Sequence, residues 1–451
     1  MRDWTMKRLG FCVVFGMATV ASAAQWVKSP EPGWPQFRGP CRNGVSPETG
    51  LLQSWPEGGP KVLWTATNLG AGYSSPIIVG QTVYLTGDVG DELHIFALDL
   101  QGRLVWKATN GASWKNPYPG ARASCTYSEG QIYHLNGHGR VACFDARDGR
   151  PIWAREVVRD FESRVPTWGM AECLLVAGPR VIVTPGGRKA SMAALDKRTG
   201  DTAWQSEPLP LTNSGEGGRD RIEGPAYASP ILIEVNGRQQ IVGVTARHFF
   251  GVNAETGERE WQFEMPTRYE VIASSPVLCG NGVFVTAPDG GGGRWLEWVP
   301  EGGRVGVKPR WTTTLDTCHG GVVEVDGFLY GSWYRDFNGW GAVDLRDGSV
   351  PYRDKELVMG SVLHADRRLY VLSQSGTMAL VKPNPGRWEI VSRFEFARER
   401  RNDVWAHPVI LDGRLYLRHQ AKLVCFDIRD PQRRDKSRRR AKQGRVSRLK
   451  Y

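Results

Sequence analysis

Short runs of alternating apolar and polar residues, each bounded by glycine, asparagine or aspartate, follow one another along nearly the whole chain, and helical periodicity is nowhere sustained. Alternation with period two predicts half-buried strands, and the punctuation predicts tight turns between them. One motif recurs: ALDLQGRLVW (97–106), CFDARDGRPIW (143–153), ALDKRTGDTAW (194–204), GVNAETGEREW (251–261) and AVDLRDGSVPY (342–352). In every copy a glycine precedes an aromatic residue by four positions: Gly102 and Trp106, Gly149 and Trp153, Gly200 and Trp204, Gly257 and Trp261, Gly348 and Tyr352. The acidic or amide side chain before each turn can bond the turn backbone, and the glycine supplies positive φ. The aromatic ring then lies one strand later, placed to cover a neighbouring sheet, where it would bury ~150–250 Å².

Strand-closing positions fall at Trp64, Trp106, Trp153, Trp204, Trp261, Trp311, Tyr352 and Val391, at steps of 42, 47, 51, 57, 50, 41 and 39 residues. Steps of this size match one four-stranded blade, for which a related repeat runs ~40–45 residues. A second signal opens each unit, as YSSPI at 73, ASCTY at 123, AECLL at 171, YASPI at 227, SSPVL at 274, HGGVV at 319, GSVLH at 360 and AHPVI at 406. Eight starts predict an all-β, eight-bladed β-propeller of four-stranded antiparallel blades. The last unit has three strand-like runs and lacks a fourth, whereas KVLW (61–64) precedes the first complete unit unpaired. That N-terminal strand is expected to close blade eight and remove a sheet edge.

Charge changes the picture at the two ends. The net charge of +11 is concentrated in residues 431–451, where ten Lys/Arg face one Asp, and around Arg2, Lys7 and Arg8. The body between is close to neutral. The basic run is expected to be a disordered tail, solvated or bound to an anionic surface. At the other end, basic residues, an apolar run from Leu9 to Val20 and Ala21-Ser22-Ala23-Ala24 read as a secretory signal peptide. The run is well short of the ~20 residues of a membrane span, and Cys12 lacks the small-residue box of a lipid anchor. The expected organisation is therefore signal peptide 1–24, an N-terminal segment 25–60 packing on the propeller, the propeller 61–430 and the tail 431–451. The mature chain is expected to be a monomer in the periplasm or cell envelope without a lipid anchor. Seven cysteines then remain, an odd number, with no CxxC pair; Cys143 and Cys425 occupy matching positions and read as core thiols.

The ALDxxTGxxxW repeats resemble those of the PQQ-like propeller superfamily, which includes quinoprotein alcohol dehydrogenases and the propeller lipoprotein of the outer-membrane assembly machine. WPQFRGPCRNGVS (34–46), PYPGARAS (117–124), WGMAECLLV (168–176) and HGGVV (319–323) are similar to exported bacterial PQQ-like repeat proteins. The resemblance implies an eight-bladed fold and says little of chemistry. The resembling dehydrogenases carry adjacent disulfide-bonded cysteines, a metal held by Glu, Asn and Asp, and a catalytic Asp. No Cys-Cys dipeptide occurs here.

Inner strands line a propeller's channel, so the unit starts offer the candidate binding residues: Arg122, Trp168, Glu172, His319 and His407. Arg122 could bond channel carbonyls or an anionic ligand, Glu172 could pair with it, and Trp168 could stack on a sugar or another ring. Glu172, His319 and His407 belong to units three, six and eight, on separate sides of the ring. They are not expected to converge within ~2.0–2.2 Å of one metal. No catalytic residue is assigned. The reading is a binding or scaffolding module whose partners are other envelope proteins, with no cofactor. The alternatives are an enzyme using PQQ with calcium and a hydrolase or lyase at the channel mouth.

Overall fold

The computed structural model describes residues 24–210, 222–397 and 403–432. Residues 1–23 of the expected signal peptide 1–24 and nearly all of the basic tail lie outside these, as does most of 206–224. Eight antiparallel sheets form the propeller, with strands in sequence order from channel to rim. Blade one consists of Ile77–Val79, Thr82–Val89, Glu92–Asp99 and Leu104–Ala112. Blades two to seven occupy 126–156, 175–205, 231–264, 277–313, 323–354 and 360–395. Blade eight has three strands of its own, Val409–Leu411, Arg414–His419 and Lys422–Asp427, and Lys61–Ala66 completes it, pairing with Lys422–Asp427 as expected. The described helix is one turn, Val157–Asp160. No described helix is long and apolar enough to cross a membrane.

The recurrent motif works by docking each blade on the next. The indole N–H of Trp64 donates to Leu100 O of blade one at 2.8 Å, Trp106 to Ala146 O at 3.1 Å and Trp153 to Lys197 O at 3.0 Å. Trp204 reaches Ala254 O at 3.3 Å and Trp311 reaches Leu345 O at 3.0 Å. Each ring lies flat on the turn glycine of that next blade. At Gly257, with φ +75°, an added Cβ would stand 2.3 Å from Trp204. A side chain there would push the ring off its seat. Asp99, Asp145, Asp196, Asn253 and Asp344 accept backbone N–H groups within their own turns.

Three of the eight predicted positions do not dock. Trp261 gives its indole N–H back to its own blade, to Gln240 Oε1 at 3.2 Å, while its ring meets Trp298 of blade five edge-on at 5.8 Å. Blade five ends in the long hairpin Gly292–Glu301 and Arg304–Thr313, so it offers no motif turn to receive the ring. Tyr352 has no indole N–H and packs in the core between blades six and seven. In blade seven the register places Ser392, not Val391, at the docking position. The missing ring comes from the N-terminal segment. Trp55 donates its backbone N–H to Ser392 Oγ at 2.7 Å and packs on Tyr370 at 5.6 Å. Tyr84, Tyr133 and Tyr416 stand in the same relation to Trp106, Trp153 and Trp64.

Before reaching Trp55 the chain fills one end of the channel. Ala24–Trp26 adds a fifth strand beside Ile231–Val235 of blade four. Trp34 then bridges Ile78 of blade one, and Pro35 O accepts Tyr127 N of blade two at 2.9 Å. Arg38 donates to Val322 O, next to blade six, at 2.6 Å, whereas Arg42 donates to Cys173 O and Leu174 O, at blade three, at 2.6 and 3.1 Å. Ser46 bonds blade seven through His364 O, and Glu48 accepts Asp412 N and Gly413 N of blade eight. Buried arginines are tolerated here because fixed carbonyls take the place of water.

Candidate functional site

The inner strands run from an open end of the channel toward this plug. Each is entered through a short segment whose residues alternate in direction, so positions two apart face the axis together. Tyr73 and Ser75, Arg122 and Ser124, Ala171 and Cys173, Tyr227 and Ser229, and Trp405 and His407 form five such pairs. They line a cavity of about 600 Å³ floored by Phe37 of the plug. The deeper members bind one blade to the next. His407 N–H donates to Ser75 Oγ at 2.8 Å and Ser75 N–H to Ser124 Oγ at 2.9 Å. Ser124 N–H then donates to Cys173 Sγ at 3.2 Å and Cys173 N–H to Ser229 Oγ at 3.0 Å. The small residues at the unit starts thus form a latch linking blades eight, one, two, three and four.

The outer members are largely aromatic. Trp405 stacks at a tilt against Tyr73 at 4.7 Å and meets Tyr118 at 5.2 Å and His319 at 4.8 Å. Trp168 meets Tyr227 edge-on at 5.8 Å. Asp289 and Arg335 lie 3.5 Å apart, and the Arg335 guanidinium sits over the Tyr334 ring at 4.9 Å.

Of the five residues singled out from sequence, four line this cavity: Arg122, Trp168, His319 and His407. Arg122 serves the rim. Its guanidinium donates to Trp168 O, to Gly120 O at 2.8 Å, and to Pro117 O and Tyr118 O, both at 2.8 Å. Burial lowers its pKa to about 10, so it remains charged at neutral pH. Glu172 is the exception, lying behind the wall. Its carboxyl accepts Thr184 N at 2.9 Å and the Thr184 hydroxyl at 3.3 Å. Arg42 of the plug, not Arg122, is the cation whose field reaches it, and burial pushes Glu172 up to about 8.

The two histidines, expected on separate sides of the ring, meet: His407 Nε2 lies 2.9 Å from His319 O. The physical reason is the diglycine between His319 and Val322. A Cβ on Gly320 would stand 1.8 Å from Gly360 O, and one on Gly321, at φ +71°, 1.8 Å from Arg38 Nη1. Without side chains the segment enters the channel and carries His319 toward its axis. Burial pushes His407 down to about 3, helped by the charge of Arg38, and His319 down to about 4. Both are neutral at pH 7. As a neutral ring, His407 donates its Nε2 proton to the carbonyl.

Tyr73, Tyr227 and Trp405 were not singled out, although each stands at or next to the first residue of a unit start. An aromatic at that place is the signal that could have found them. Tyr118, Asp289, Tyr334 and Asp403 come from loops with no repeat to mark them.

A family model described as outer membrane protein assembly factor BamB matches residues 91–352. The chain is 28% identical over 153 residues to the outer membrane protein assembly factor BamB of Burkholderia pseudomallei (strain K96243), covering 34% of this chain and 32% of that protein. It therefore matches about a third of that relative's length. BamB from Moraxella catarrhalis is similar in structure, with a TM-score of 0.54 and 13% identity over 78% of this chain and 94% of that one. Quinohemoprotein alcohol dehydrogenase from Comamonas testosteroni has a TM-score of 0.61 and 12% identity over 88% of this chain and 80% of that one. At such identities the likeness to solved structures shows the fold alone.

Among the described residues no three His, Cys, Asp or Glu side chains converge for a metal. The sequence also has no adjacent cysteines, and of the cavity's two carboxylates Asp289 is beside Arg335.

Proposed function

The chain belongs to the outer membrane protein assembly factor BamB family, and from that premise we propose that it is an exported, non-catalytic binding or scaffolding propeller of the cell envelope whose partners are other envelope proteins. The observation that carries this reading is how the channel's polar groups are used. Arg122 is bonded to four carbonyls, His407 to the His319 carbonyl, Glu172 to Thr184, and the inner serines and Cys173 to the latch. A hydrolase or lyase at the mouth would need a nucleophile, a base and a group orienting that base within hydrogen-bond reach. These residues instead hold the ring rigid, which suits a surface that docks other chains.

The test is cross-linking in intact cells followed by fractionation. The expected result is full-length protein in envelope fractions, joined to a small reproducible set of envelope proteins. Recovery in the cytosol, or in the envelope without cross-linked neighbours, overturns the reading.

A further inference from the structure

The open end of the channel has features that docking of protein partners does not explain. Two aromatic walls face a common space: Tyr73, Tyr118 and Trp405 on one side, Trp168 and Tyr227 on the other. Tyr118 is 48% exposed despite lying against Trp405, so part of its ring is offered to solvent. Aromatic faces held in a rigid concave site are available for stacking on a ring-shaped ligand.

The polar groups restrict what that ligand can be. Two guanidiniums, Arg122 and Arg335, balance two carboxylates, Asp289 and Asp403. Arg335 is beside Asp289, Arg122 is held by carbonyls, and both histidines are neutral. The cavity therefore has no surplus charge with which to select an anion or a cation. Its lining nonetheless offers donors. Ser75 accepts a backbone N–H through Oγ, and a hydroxyl that accepts keeps a proton to donate, whereas the Ser124 and Ser229 hydroxyls are turned to Cys173. Asn338 and Gln374 give their side-chain oxygens to Met359 N at 3.1 Å and to the Trp405 indole at 3.4 Å, which leaves their NH2 groups as donors. A wholly apolar ligand would displace water from these groups and leave them unmet, at a cost.

We infer that the cavity is a binding site for a short neutral oligosaccharide, with sugar rings stacked between the Trp405 and Trp168 walls and ring hydroxyls meeting the Ser75 hydroxyl and the Asn338 and Gln374 amide groups of the lining. The volume of about 600 Å³ lies within the range that encloses a small organic ligand. This site stands whether or not the propeller docks protein partners.

The test uses the purified full chain titrated with cellotriose, maltotriose and triacetylchitotriose, followed by tryptophan fluorescence and calorimetry. At least one trisaccharide is expected to bind saturably at one site per chain. Trp405→Ala should weaken that binding about thirtyfold, as loss of a central aromatic anchor does elsewhere. Tyr118→Ala, at the exposed rim, should weaken it less and leave the melting temperature unchanged, which separates lost contact from lost folding. The inference is overturned if none of the three binds at millimolar concentration, or if both variants bind as the parent does. It is equally overturned if tetramethylammonium or glutarate binds in their place.

Discussion

The two ends of the channel are built from similar residues put to opposite uses. At the closed end, Trp34, Arg38 and Arg42 enter from the N-terminal segment and are buried, the arginines against carbonyls of blades three and six. At the open end, Trp405 and Arg122 are half-buried, and their surroundings include a cavity wide enough for a ligand. The comparison teaches that residue type does not tell a sealed end from an open one. What separates them is how completely the chain covers the side chains from solvent.

The largest contrast should come from tryptophan. Trp34→Ala removes a ring 2% exposed and is expected to cost about 4 kcal/mol in chemical denaturation, against about 1 kcal/mol for Trp405→Ala, whose ring is partly solvated already. Equal losses would erase the distinction between the ends. Next come the arginines. Arg42→Met strands two buried carbonyls and should cost about 3 kcal/mol, whereas Arg122→Met, near the mouth, should cost about 1 kcal/mol because water can replace the guanidinium.

A smaller effect should appear in pH dependence. Glu172 is held up to about 8, above its ordinary 4.5, so in that interval the folded state keeps a proton that the unfolded chain releases. Stability should therefore fall as pH rises from about 4.5 to about 8, and Glu172→Gln should flatten that fall in melting curves. Asp88, pushed up to about 6 by burial, adds the same sign over a narrower interval. His319 and His407 act oppositely. Their lowered values make stability fall as pH drops below about 6.5, so acid melting should persist in the glutamine variant. The smallest effect is expected from PQQ with calcium. No saturable change in cofactor absorbance and no rise in melting temperature should follow, since a ligand that prefers the folded state must stabilise it.

How much of this was legible in the sequence depended on the range of the interactions. The turn motif is local, and it marks the docking tryptophans Trp106, Trp153 and Trp204 with their strands, whereas Trp64 and Trp311 follow from the spacing of the units and the closure by KVLW (61–64) from the missing fourth strand of the last unit. The motif does not carry over to Trp261, where blade five offers no motif turn, to Tyr352, which has no indole N–H, or to Val391, where the register puts Ser392 at the docking position. The plug was less visible still. Arg38 and Arg42 reach partners 284 and 131 or more residues away, and nothing in WPQFRGPCRNG announces which carbonyls they will meet. In the site, the unit starts pointed to Arg122, Trp168, His319 and His407, and they misassigned Glu172 because alternation along a strand sends neighbours to opposite faces. The loop residues Asp289 and Tyr334 follow no repeat.

Closure of blade eight by Lys61–Ala66 also has a consequence in time. A ribosome makes this strand hundreds of residues before Lys422–Asp427, its pairing partner. The first-made strand of the propeller is thus the last to be seated, and it has no pairing partner until Lys422–Asp427 is made. Such a chain gains by staying unfolded until it is whole. A propeller that crosses a membrane as an extended thread and folds on the far side would meet that condition.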